Sequence, residues 1–210
     1  MGEIFEFFFG QYANYETIDI ILEIIAVIFG FLSVWFSKQN NILVFPTGMI
    51  STAIFVYLLL KWALLGDMMI NAYYFIMSVY GWYVWTRKVD ETHVTPISYT
   101  TKKEHLYSVL IFVATLVFVY VVYKTFDKWN NWTAIVDTFT TAVFFVGMWL
   151  MAKRKIENWL YWIVGDIISI PLYFYKGFTF TSFQYLIFTI IAIFGYFAWK
   201  KYLNKNLQTA

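Results

Sequence analysis

Apolar residues run along this chain in seven long stretches, at about 18–36, 42–61, 67–86, 106–124, 133–151, 158–175 and 182–200. Each holds roughly 18–20 residues, which at about 1.5 Å per residue spans the roughly 30 Å hydrocarbon core of a bilayer. The pattern predicts seven transmembrane helices. Most intervals between them are a few residues long. The exception is 87–105, which is polar, contains Pro96 and reads as a soluble linker.

The first and last three stretches partly repeat each other. A shift of 114 places Glu23 on Asp137, Trp35 on Trp149, Gly81 on Gly195 and Trp85 on Trp199. Within the second helix of each half, a shift of 117 matches Asn41 with Asn158 and Gly48 with Gly165. Three extra residues in the second half would account for the change. The expected organisation is a three-helix repeat over 18–86, a linker over 87–105, a linker helix over 106–124 and a second repeat over 133–200. One intervening helix leaves both triplets in the same orientation, so the repeat is parallel, with its axis along the membrane normal.

Composition strengthens the membrane reading. The 210 residues are 61% hydrophobic and 13% charged, against about 25% charged in soluble domains. Aromatic residues reach 24%, more than interfacial belts alone require. There is no cysteine, which excludes disulfides and Cys-ligated clusters. The start, Met1-Gly2-Glu3-Ile4-Phe5-Glu6, is acidic where a signal peptide needs basic residues. Of the 15 Lys and Arg, four (Lys61, Lys124, Lys128 and Lys176) fall on one side and the rest on the other. By the positive-inside rule the richer side is cytoplasmic, which puts the N-terminus outside and the C-terminus inside.

Polar groups inside the spans point to a site, because burying them in lipid is costly. In the sixth stretch Trp162, Asp166, Ser169 and Tyr173 share a helix face. A carboxylate at the depth of Asp166 costs roughly 2.5–3.5 kcal/mol, so it must face protein or a water-filled cavity. It serves there either as counter-charge to a cationic or hydroxylated ligand or as a neutral bridge between helices. Trp159 and Trp162 form a Trp-x-x-Trp pair, suited to stacking on a flat ring and attracting a cation, or to a headgroup belt. Asn71, Tyr74, Ser78, Trp82 and Trp85 form a stripe on the third stretch, and Gln184, Phe188, Ile191 and Gly195 one on the seventh. Asn71 and Gln184 can each donate and accept, which suits ribose or amide groups, or else they are helix-end residues at the interface. Glu23 and Asp137 are candidate proton sites, or residues near the outer helix ends where water is close; Asp19 lies one turn before Glu23. Pro46 and Pro171 are expected to interrupt their helices. The histidines, His93 and His105, lie in the linker. No phosphate loop, Ser–His–Asp set or His-Glu-x-x-His occurs. We therefore expect no enzyme, no metal or other cofactor, and no nucleic-acid partner.

Three runs together resemble the PnuC family of vitamin transporters: Asn158-Trp159-x-x-Trp162, Tyr80-Gly81-Trp82-Tyr83-x-Trp85, and Lys153-Arg154-Lys155-x-Glu157. The 3+1+3 pattern extends the resemblance over nearly the whole chain. It implies an all-α fold similar to full-length SWEET sugar transporters, with a different helix order within each repeat. It also implies facilitated diffusion of nicotinamide riboside, or in other branches thiamine, across the bacterial inner membrane. A cytoplasmic kinase would then trap the vitamin, and the assembly would be a homotrimer. Trp159 and Trp162 become substrate contacts by resemblance. The full expected set is Trp159, Trp162, Asp166, Asn71, Gln184, Tyr74, Ser78 and Trp85, with alternating access around a midplane site. Ser78 and Phe194 stand where riboside carriers often have Asn, which keeps thiamine as the alternative. A proton-coupled carrier using Glu23 and Asp137, a scaffold or receptor without transport, and a SWEET-like sugar carrier are the other classes.

Overall fold

The structure is a computed structural model that describes residues 16–62, 64–87, 95–177 and 179–208. Seven helices account for most of them: α1 Thr17–Lys38, α2 Val44–Lys61, α3 Leu65–Thr86, α4 Lys102–Thr125, α5 Trp132–Ala152, α6 Asn158–Tyr175 and α7 Thr179–Gln208. Five of these, all except α3 and α6, are long and apolar enough to cross a membrane by length and composition. Helices α3 and α6 carry Asp67, Asn71 and Asp166 among many Tyr and Trp, which lowers their hydropathy.

Local chemistry sets several ends. Thr101 and Glu104 form a reciprocal capping box at the start of α4. The Asn131 side chain accepts from the Thr133 N–H at the start of α5 (3.0 Å). Pro46 sits in the first turn of α2, where its missing N–H costs no helical bond, so it does not interrupt the helix. Pro171 lies inside α6.

Within each triplet the helices pack in chain order, α1 on α2 on α3 and α5 on α6 on α7. The triplets meet where α1 touches α7 and α3 touches α5, and α4 leans on α5. A single shift of 114 residues carries Val44 and Lys61, the ends of α2, onto Asn158 and Tyr175, the ends of α6. The same shift relates the left-handed residues Asn40 (φ 55°) and Arg154 (φ 60°) in the α1–α2 and α5–α6 turns. The 117-residue register for the second helix is therefore incorrect, and no insertion separates the halves. The Asn and Gly matches that suggested it are coincidences of composition.

At the basic end of the bundle, equivalent residues meet across the pseudo-two-fold. The Trp85 indole N–H donates to the Met151 carbonyl (3.2 Å), and the equivalent Trp199 donates to that of Ser37 (2.9 Å). Arg154 donates through Nε and Nη2 to Asn40 Oδ1 (3.0 and 2.8 Å) and lies over the Trp85 ring at 4.4 Å. Residues 95–101 strap onto the α5–α6 turn. Arg154 Nη1 donates to the Thr95 carbonyl (2.5 Å), Ser98 bridges Lys155, and Glu157 accepts from Thr100 N (3.0 Å). Phe45, Trp85, Trp199 and Trp159 pack ring against ring in the core here. Glycines admit the rings: a Cβ on Gly81 would lie 2.2 Å from Phe45, and one on Gly195 would lie 2.6 Å from Trp159.

Candidate functional site

Above this aromatic floor a cavity of about 350 Å³ lies between the triplets. That is the lower end of the range of about 300–1,000 Å³ usual for small-molecule sites. It runs from Ser37 and Met151 near the basic end to Asn71 and Gln184 nearer the other. It sits on the pseudo-axis, because lining residues come in equivalent pairs: Ser37 with Met151, Thr52 with Asp166, Tyr74 with Phe188.

One wall is aromatic. The Trp162 and Phe144 rings stack at 5.5 Å and 29°, and Phe144 stacks on Tyr185 at 5.9 Å and 7°. Tyr74 tilts against Trp162 at 6.5 Å. Phe144 reaches this position because Gly165 gives way to it; a Cβ there would lie 2.3 Å from the ring. Asp166 follows Trp162 by one helical turn and lines the same cavity at 3% exposure. No Lys or Arg is among the described lining residues. The chemistry on offer is a flat stacking surface beside a carboxylate, with Asn71, Gln184 and several hydroxyls around it. Such a site favours a flat, positively charged ring and disfavours a phosphate.

Seven of the eight residues expected from sequence line this cavity: Trp159, Trp162, Asp166, Asn71, Gln184, Tyr74 and Ser78. Trp85 does not; it is 3% exposed, wedged between Phe45 and Trp199. Its indole N–H and ring face are engaged by the Met151 carbonyl and Arg154, so it is a packing residue. Trp159 shows the cavity little surface. It is 2% exposed, edge-to-face with Trp199 at 89°, and forms part of the floor. Trp162 presents the more accessible ring. Phe194 is 57% exposed on the bundle's outside and does not line the cavity, so its departure from Asn does not touch the site. Asp137 ion-pairs with Lys176, and Asp19 pairs with Lys61 (2.8 Å). His93 lies outside the described residues, and no metal-ligating cluster occurs among those described. Sequence reasoning missed Phe144 and Tyr185 on the aromatic wall, and the α1–α2 wall, which includes Gly30, Ser33, Gly48, Ser51 and Thr52. The 114-residue shift was the signal that leads to them, since it maps Asp166 onto Thr52 and Trp162 onto Gly48.

Fold and cavity together define a multi-helix membrane protein with a small-molecule site between two like halves. The chain belongs to the nicotinamide mononucleotide transporter family, whose model matches residues 20–201, and with it to the PnuC vitamin transporters. It is 22% identical over 205 residues to the nicotinamide riboside transporter PnuC of Escherichia coli (strain K12), covering 85% of this chain and 84% of that one. It is 26% identical over 127 residues to the riboflavin/roseoflavin transporter RibM of Streptomyces davaonensis, covering 59% and 58%. The crystal structure of the vitamin B3 transporter PnuC superposes with a TM-score of 0.64 at 25% identity, over 90% of this chain and 84% of that one.

Proposed function

We propose that this protein is a facilitator that lets nicotinamide riboside equilibrate across the bacterial inner membrane. The observation that carries the proposal is the buried Asp166 carboxylate one helical turn from the Trp162 ring, in a cavity with no cationic lining among its described residues. Nicotinamide riboside has a flat pyridinium ring with a fixed positive charge. Trp162 stacks on that ring and Asp166 balances its charge, while Asn71 and Gln184 reach its amide and hydroxyl groups. Trp159 closes the floor beneath. The mononucleotide in the family's name carries a phosphate, for which the described lining residues supply no cation. Riboflavin, named for one relative, also joins a flat ring to a hydroxylated chain, so the two ligands share a ground plan.

The transport cycle is alternating access, with the triplets over 18–86 and 133–200 rocking about the cavity. The basic end faces the cytoplasm, with residues 87–105 on that side and the 106–124 helix tying the halves together. A cytoplasmic kinase traps the vitamin, and the assembly is a homotrimer, both by family resemblance. Thiamine is the second reading. It is favoured by Ser78, which lines the cavity where riboside carriers often have Asn.

Titration of purified protein by intrinsic tryptophan fluorescence tests the proposal. Saturable quenching by the riboside supports it; quenching by thiamine alone replaces the substrate. The Asp166→Asn variant should bind the riboside about 10- to 100-fold more weakly while a neutral isostere loses little. Equal loss of both would refute the counter-charge role.

A further inference from the structure

The two walls of the cavity correspond residue by residue but differ in bulk. Phe144 and Trp162 project from α5 and α6, and the equivalent positions on α1 and α2 are Gly30 and Gly48. The contacts exchange in step. Phe144 fills the space beside Gly165, while Ser51, the equivalent of Gly165, lies beside Gly30 at 3.2 Å from where a Cβ would be. Trp162 lies against Gly147, while Ser33, the equivalent of Gly147, lies against Gly48. Two large rings on one side thus face two glycines on the other. All four positions line the cavity, and small hydroxylated side chains, Ser51 beside Gly30 and Ser33 and Ser78 beside Gly48, stand where the other half carries rings.

The small wall has its own polarity. Ser33 Oγ donates to the Val44 carbonyl (2.7 Å), Ser51 Oγ to that of Ala26 (2.8 Å) and Thr52 Oγ1 to that of Gly48 (2.8 Å). A hydroxyl has one proton and two lone pairs. With each proton held by a backbone carbonyl, these oxygens offer the cavity only acceptors. These positions give a ring no flat surface to stack on, whereas hydroxyl donors can bond to their oxygens. Glycine also lets an sp³ group approach the backbone closely.

We infer that the α1–α2 wall, centred on Ser51 and Thr52, is the subsite for the hydroxyl-bearing part of the ligand whose ring lies on Trp162. This rests on the vitamin reading above and adds the residues that set selectivity for the sugar. Nicotinamide riboside and 1-methylnicotinamide share the cationic ring and differ in the sugar, so together they isolate the subsite. Fluorescence titration of the full-length Thr52→Val variant should show riboside affinity falling about tenfold and 1-methylnicotinamide affinity changing by less than about twofold. Ser51→Ala should behave likewise, and Thr52→Ser, which keeps the hydroxyl, should match the parent protein. Unchanged riboside binding in both Thr52→Val and Ser51→Ala, or equal weakening of both ligands, would overturn the inference. A parent protein quenched by neither ligand would instead refute the vitamin reading, and the subsite with it.

Discussion

At the residue scale, Trp162 and Asp166 carry the proposed binding of a cationic ring, one helical turn apart on the cavity wall. A carboxylate inside an apolar run is expensive in lipid, so Asp166 stood out, and Trp162 one turn earlier drew notice as an aromatic face beside that charge. Aromatic residues did not reveal which were packing and which were lining, because both roles use the same side chains. Trp85 shared a stripe with Asn71, Tyr74 and Ser78, yet it lies under the cavity, held by Arg154 and the Met151 carbonyl. Gly30, Gly48, Ser51 and Thr52 carried no signal of their own, since small residues in membrane helices ordinarily mean close packing. The Trp162 ring makes a direct prediction. Its replacement by Ala should weaken riboside binding about tenfold, and Trp162→Phe should weaken it less, because a smaller ring keeps part of the stacking and cation–π attraction. Equilibrium dialysis with labelled riboside measures both.

At the scale of elements, helix positions follow closely from hydropathy. The stretch read at 158–175 matches α6, Asn158–Tyr175, and α5, Trp132–Ala152, differs from 133–151 by one residue at each end. Helix α7 runs to Gln208, beyond the expected end at 200, because Lys200, Lys201 and the following residues continue a helix that lipid no longer requires. The register of the second helices was misread because two identities in a restricted composition outweighed the helix ends. Packing between elements was not legible, since contact with a ring cannot be inferred from a glycine. It is testable, however. Gly195→Ala would put a Cβ 2.6 Å from the buried Trp159 ring and should destabilise the protein by about 1–3 kcal/mol in thermal unfolding. The control is Gly66→Ala on α3, whose Cβ would meet Val122 at an ordinary 3.6 Å and should be close to neutral.

At the scale of the whole molecule, the pseudo-two-fold organises both the core and the cavity. Identical halves would give a symmetric chamber; the exchange of Gly30 and Gly48 for Phe144 and Trp162 makes one with an aromatic and a hydroxylated side. The basic end is fastened on the axis by Arg154, which is buried and bonded to neutral oxygens of Asn40 and Thr95. Burial pulls its guanidinium down to about 10, still cationic at neutral pH. Arg154→Ala removes links among both triplets and the 95–101 strap, and should lower stability by about 1–3 kcal/mol in detergent-solubilised protein. An unchanged unfolding midpoint would show the fastening to be incidental. As proposed, the cavity passes a cationic vitamin down its gradient. The most direct test of this is uptake of labelled nicotinamide riboside into liposomes containing only the purified protein, with no kinase and no ion gradient. A facilitator gives saturable influx that stops at equal concentrations inside and out and is largely lost in Asp166→Asn. No influx above protein-free liposomes, or accumulation that needs a proton gradient, would contradict it.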